Sequence, residues 1–369
     1  MDIVLIGIIA ILVSFSCSII GLHLVLRQKS MLIDSITHTV LLGIVLGFLI
    51  IPDINSPFLI LSAALMGIIT VFLTETLNNT GLVKKDAAIG LIFPLLFSIA
   101  IIIMTKYLKN AHVDVHSVLL GKIEFSIFDK FSIGDYDLGP KALWIMGIIF
   151  IINALFVMIF YKELKITSFD TDFSKIVGFN PIWLNYALMA LVSVTTVGAF
   201  QSVGSILVIS FMVGPIVIAY FLAEDLKTLI FYSFLAGIVN SVIGIVIANR
   251  FDLSISGSIA SVMGFSFILL FIFHKKNGLI GKLYHRNQKK REFFKINIMF
   301  HIAYHHKMGD MAEECNIKTI DRHFNKDKKI MDKYIESLIK DNEIENIDGI
   351  LHITEKGMSK IEEYKYLME

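Results

Sequence analysis

Asp34 and His38 stand four residues apart in the stretch RQKSMLIDSITHTVLLG, residues 27–43. On a helix that spacing brings a carboxylate and an imidazole to one face. The pair suits Zn2+, Mn2+ or Fe2+, and both side chains can reach one ion. Two ligands do not close a site, so others must come from elsewhere. Asp86 offers a carboxylate, although it follows Lys84-Lys85, where an acid also complements a helix N-terminus. The run HVDVH places His112, Asp114 and His116 on alternate positions, which share one side of an extended segment. That run could receive or gate an ion, or be an ordinary solvated loop. His301, His305 and His306 have the helical spacing of a metal pair, or are surface and core residues of a soluble helix.

The setting of Asp34 and His38 is what makes them informative. The 369-residue chain is 55% hydrophobic, with a mean hydropathy of +0.73 and only 18% charged residues, against roughly a quarter in soluble domains. Of its 65 charged residues, 35 lie after residue 274. The chain therefore divides into a membrane domain over 1–274, a basic linker over 275–292 and a cytosolic domain over 293–369. An ionisable group within a membrane helix costs a few kcal/mol on insertion scales, so it usually faces a cavity or a partner. Two readings of the pair are open: ion ligands, or an aspartate capping the helix beside a satisfied core histidine.

A spanning helix needs about 20 mostly apolar residues. Nine stretches qualify: 3–26, 33–51, 57–77, 86–106, 142–161, 182–201, 204–222, 227–248 and 255–273, or eight crossings if one is re-entrant. Gly214-Pro215 marks a helix kink in the seventh. Short loops bearing Arg27/Lys29, Lys84/Lys85, Lys162/Lys165/Lys175, Lys227 and Lys275/Lys276 fall on one side, which the positive-inside rule makes the cytoplasm. Residues 107–141 form the long external connection, in which HVDVHSVLLGKI reads as a short, partly buried helix. On the cytoplasmic side, KELKITSFDTDFSKIVGFNP spaces Phe169, Phe173, Ile176 and Val177 as a short amphipathic helix ended by Gly178. Such a helix docks a cytosolic partner or packs against lipid headgroups.

After the basic linker, EFFKINIMFHIAYHH reads as a helix and MGDMAEECN as a short second one. IDRHFNKDKKIMDKYIESLIKDNEI reads as a long third, Asp348-Gly349 as a hairpin turn, and Thr354 as the cap of a last helix. That order is a winged helix, so the fold class expected is an all-α polytopic membrane protein with a small α+β winged-helix tail. The chain contains no GxxxxGK[ST], HExxH or GxSxG sequence, so nothing suggests an enzyme.

GLHLVLRQKSMLIDSITHTVLLGIVLGFL resembles the signature of metal-ion ABC importer permeases of the manganese/zinc/iron type. KKDAAIGLIF, VHSVLLGKI, ITSFDTDFSKIVGFN, QSVGSILVISFMVGPIVIAYFLA and GSIASV follow in the family's order. The resemblance covers residues 1 to about 274. The tail, especially LHITEKGMSKIEEY, is similar to the winged-helix module of iron- and manganese-dependent repressors. The first resemblance implies a permease in the cytoplasmic (inner) membrane of a bacterium, dimeric with itself or a paralogue. It also implies a separate cytosolic ATP-binding subunit and an extracellular metal-binding protein. By position Asp34 and His38 fall on the family's metal-path residues, Asp86 and His116 on further motif positions, and Asp170, Phe173 and Gly178 on the helix that couples to the ATPase. The ion is then cargo, with no permanently bound cofactor. Where the family usually has glycine before the aspartate, this chain has Ile33, and Ser35, Thr37 and Thr39 surround the pair. The rival reading is a membrane-anchored, metal-responsive regulator whose tail contacts DNA.

Overall fold

The computed structural model describes residues 2–53, 56–107, 123–133, 136–324 and 327–366. His112, Asp114 and His116 lie outside them. The chain forms two compact units, Met1–Ile272 and Phe273–Glu369.

In the first unit, nine helices among the described residues are long and apolar enough to cross a bilayer. They are α1 Asp2–Leu26, α2 Ser30–Ile50, α3 Pro57–Asn79, α4 Lys85–Tyr107, α5 Lys141–Ile159, α8 Pro181–Val203, α9 Ser205–Leu222, α10 Leu226–Phe251 and α11 Ile255–Phe273. Every boundary lies within three residues of the one expected from hydropathy. In lipid the backbone must satisfy its own polar groups, so an apolar run of this length has little choice but to be helical. Local chemistry sets the starts. The Ser56 side chain accepts from the Phe58 amide ahead of Pro57, Asn180 Oδ1 accepts from the Ile182 and Trp183 amides, and Asp225 forms a capping box with Thr228.

α2 starts earlier than its apolar run suggests. Its N-cap is Lys29, which makes no side-chain cap, so Asp34 sits inside the helix and does not cap it. A turn through Gln28, with φ +54°, joins α1 to α2 and sets Arg27 and Lys29 at the same end of the bundle. α9 stays helical on both sides of Gly214-Pro215.

α2 packs on α3 and α4, α3 also on α8, and α1 on α5, α9 and α10. The α2–α3 contact depends on Gly43 and Gly47, spaced as a small-xxx-small pair. A Cβ on Gly43 would lie 2.6 Å from both the Ala63 Cα and the Ser62 carbonyl oxygen. Two short helices, α6 Tyr161–Phe169 and α7 Thr171–Ile176, connect α5 to α8. A hairpin of β1 Lys130–Ile133 and β2 Tyr136–Pro140 precedes α5, a feature that hydropathy does not signal.

The second unit runs α12 Leu279–Met308, α13 Met311–Glu314, a 3-10 turn Ile320–Phe324, α14 Lys328–Lys340, the hairpin β3 Ile344–Ile347 and β4 Ile350–Ile353, then α15 Glu355–Tyr366. The basic segment from Leu279 onward is thus helical. The long helix expected from Ile320 is divided, because Asp327 is extended and serves as the N-cap of α14. The hairpin turns through Asp348 (φ +53°) and Gly349 (φ +87°), the left-handed pair that a two-residue loop requires. Ile296, Met299, Ile302, Ile335, Leu338 and Leu351 form its own apolar core.

Candidate functional site

Asp34 and His38 project from one face of α2, with His38 Nε2 3.4 Å from Asp34 Oδ1. The Asp34 side chain is 46% exposed and that of His38 30%. Phe93 and Phe97 of α4 hold the imidazole, each ring centroid 5.6 Å away. His38 Nδ1 is buried and has no hydrogen-bond partner among the described residues. The carboxylate is half open and stands beside the imidazole, so the two donors can face one cation. Behind them α2 is closed: Ile33 is fully buried, Thr37 and Thr39 donate to backbone carbonyls of their own helix, and Thr70 of α3 donates to Thr39 Oγ1 at 2.8 Å.

Five to seven residues before Asp34, the α1–α2 turn is tied into two polar networks. Arg27 Nη2 donates to Thr167 Oγ1 at 2.6 Å and Nε to Ser168 Oγ at 3.4 Å, both on α6. Burial lowers the guanidinium to about 10, so it stays charged at neutral pH. His23 Nδ1 lies 3.4 Å from the same Ser168 hydroxyl. Lys29 Nζ donates to Glu75 Oε1 at 2.9 Å on α3 and to Asn185 Oδ1 at 2.8 Å on α8, and Asn185 Nδ2 closes the triangle on Glu75 at 2.9 Å. A cavity of about 780 Å³ opens among these elements, lined in part by Arg27, Lys29, Glu75, Lys85 and Lys175. None of these partnerships is visible in the sequence; a glutamate inside the apolar run of α3 was the one available signal.

Asp170, Phe173 and Gly178 come together as one small device. Asp170 Oδ1 accepts from the Asp172 and Phe173 amides and so caps α7. Gly178, at φ +92°, ends it in a Schellman motif, its amide donating to Lys175 and that of Phe179 to Ser174. Between the two caps, Phe173, Ile176 and Val177 are exposed. Asp86 lies exposed in the first turn of α4, next to Lys85, whose ammonium donates to the Gln28 carbonyl oxygen at 3.1 Å. His301 and His305 share one face of α12, while His306 turns to Met311 Sδ instead.

A bundle of apolar helices with an ionisable pair facing out of one of them is the build of a polytopic membrane permease. The chain belongs to the ABC 3 transport family, whose sequence profile matches residues 3–274. The zinc transport system membrane protein TroD of Treponema pallidum is 34% identical over 351 residues, 95% of either chain, so the likeness extends beyond residue 274. The manganese transport system membrane protein MntD of Bacillus subtilis is 37% identical over 272 residues, 74% of this chain and 92% of the relative. The solved structure of PsaBC from Streptococcus pneumoniae in complex with Fab matches at a TM-score of 0.62 and 28% identity, covering 74% of this chain and 91% of that one.

Proposed function

We propose that the chain is the permease subunit of an ABC importer that carries a divalent transition-metal ion, Mn2+, Zn2+ or Fe2+, into the cytoplasm. The observation that carries this reading is the Asp34/His38 pair: in a member of the ABC 3 transport family, it is partly exposed and leaves His38 Nδ1 without a partner among the described residues. The relatives named for zinc and manganese transport support the ion class. Membership over residues 3–274 favours the permease over a membrane-anchored regulator.

In this reading the Arg27/Lys29 end faces the cytoplasm, following the basic loops, and the tail lies on the same side. A separate ATP-binding subunit docks on the exposed apolar face of α7, and two permease chains, identical or paralogous, enclose the path. An extracellular metal-binding protein delivers the ion. Asp34 and His38 bind it transiently, since a transport site must also let go. Alternating access follows if the ATPase moves α6 and α7, because Arg27, bonded to Thr167 and Ser168, passes the motion of α6 to the start of α2.

The test is uptake of radioactive Mn2+ and Zn2+, with Fe2+ as competitor, in cells that express the chain together with its ATPase and binding protein. Asp34→Ala and His38→Ala are expected to abolish uptake at unchanged membrane levels. Wild-type uptake in both variants removes the pair from the path.

A further inference from the structure

The second unit gathers imidazoles and carboxylates in a way its core does not require. His301 and His305 lie one turn apart on α12, their ring centroids 4.5 Å apart. After α12 ends at Gly309, with φ +82°, the chain folds back, and α13 returns Glu314 to the same spot. One ligand atom from each of His301, His305 and Glu314 lies within 4.8 Å of the others. The 3-10 turn brings His323 to the cluster, its Nε2 3.1 Å from Glu314 Oε2 and its ring 5.2 Å from that of His301. Two ligands about 2.1 Å from a shared ion at a tetrahedral angle stand about 3.4 Å apart, so a small closure of these side chains reaches a metal sphere.

We propose that His301, His305 and Glu314, with His323 as fourth ligand, form a divalent transition-metal site in the second unit, separate from Asp34 and His38. The outer contacts fit this role. His305 Nδ1 lies 2.8 Å from Asp310 Oδ1, the carboxylate–histidine arrangement that fixes a tautomer and turns the other nitrogen toward a metal. His301 Nε2 donates to the Glu314 carbonyl oxygen at 3.2 Å, which fixes its tautomer likewise. Three imidazoles and one carboxylate select Zn2+, Co2+ or Fe2+ over Mg2+ and Ca2+. Cys315, next to Glu314, is buried in the core and takes no part. The site ties together the end of α12, α13 and the 3-10 turn, and its existence does not depend on the importer reading.

The test uses the full chain in detergent, stripped with EDTA, in an Asp34→Ala/His38→Ala background that silences the transmembrane pair. Co2+ is the probe. We expect one Co2+ per chain with visible absorption, displaced by Zn2+, and a rise in melting temperature on adding Zn2+. His301→Gln/His305→Gln should lose the absorption and the thermal shift. Asp310→Asn and His323→Ala, at the surface and safe for folding as judged by circular dichroism, should each weaken Co2+ binding about 10-fold. Absence of Co2+ binding in the background chain, or binding that none of these variants alters, overturns the site.

Discussion

Arg27 Nη2 donates to Thr167 Oγ1 at 2.6 Å, joining the end of α1 to a short helix 140 residues further along the chain. Both acceptors of this guanidinium, Thr167 and Ser168, are neutral hydroxyls, so the geometry of the fork and not charge pairing holds it. Hydrogen bonds to a charged group are worth about 1.5–3 kcal/mol each. Arg27→Lys keeps the charge and loses the fork. Under the proposed function it should lower uptake about 10-fold or more, with the ATPase still bound; a link worth 1.4 kcal/mol already corresponds to tenfold. Co-purification of the ATPase alongside metal uptake separates lost docking from lost coupling, and full uptake in Arg27→Lys would show that α6 does not act through this bond.

Lys29, Glu75 and Asn185 close the neighbouring network, and the side chains of the ion pair are only 19% and 27% exposed. Removing one member of a pair this sheltered leaves the other short of partners, at a cost of about 1–3 kcal/mol. Glu75→Gln should therefore lower the melting temperature in detergent. Lys29→Met combined with Glu75→Gln should cost less than the sum of the two single changes. Strict additivity in that cycle would mean the contact contributes nothing.

Gly43 and Gly214 are both close-packed, yet they should tolerate alanine unequally. At Gly43 the added methyl meets backbone of α3, the Ala63 Cα and Ser62 carbonyl, which cannot yield without parting α2 from α3. At Gly214 it meets the thioether end of Met263, which can swing away. Overpacking costs about 1–3 kcal/mol. Gly43→Ala belongs at the top of that range and Gly214→Ala at or below its foot, as thermal unfolding of the two variants would reveal. Because α2 also carries Asp34 and His38, Gly43→Ala should disturb transport as well.

How far the sequence foretold this structure depended on the reach of the interaction concerned. The spans were legible because a lipid-exposed helix needs a long apolar run and little else. Asp34 and His38 were legible because their partnership is local, four residues along one helix. The caps at Asp170 and Asp225 and the turn at Asp348-Gly349 are local in the same sense. Arg27 with Thr167, and Lys29 with Glu75 and Asn185, join residues 46 to 156 apart, which no window of hydropathy or spacing can bring together. His301 and His305 stood out by their spacing, whereas Glu314 and His323 reach them only through the turn at Gly309 and the 3-10 turn. The division of the long third tail helix was missed because its apolar spacing continues in phase across Asp327, where the backbone is extended.

Cys315 gives the second unit a measurable dependence on alkaline pH. Burial, with Asp310 and Glu314 nearby, pushes its thiol up to about 11, against about 8.5 for an ordinary cysteine. Between those values the unfolded chain gives up the thiol proton while the folded unit keeps it. Folding stability contributed by this group is therefore whole below about pH 8.5 and falls as pH rises toward 11, by at most about 1.4 kcal/mol per pH unit. In a Cys17→Ala chain, Cys315 should be almost inert to maleimide at pH 7.5 and react fully once denaturant unfolds the tail. Urea titrations of that reactivity at pH 8 and pH 10 should give an earlier midpoint at the higher pH. Cys315→Ala, followed by circular dichroism, should show a smaller shift between the same two pH values. Rapid labelling of the native chain would mean that the thiol lies outside the core formed by Ile302, Leu338 and Leu351.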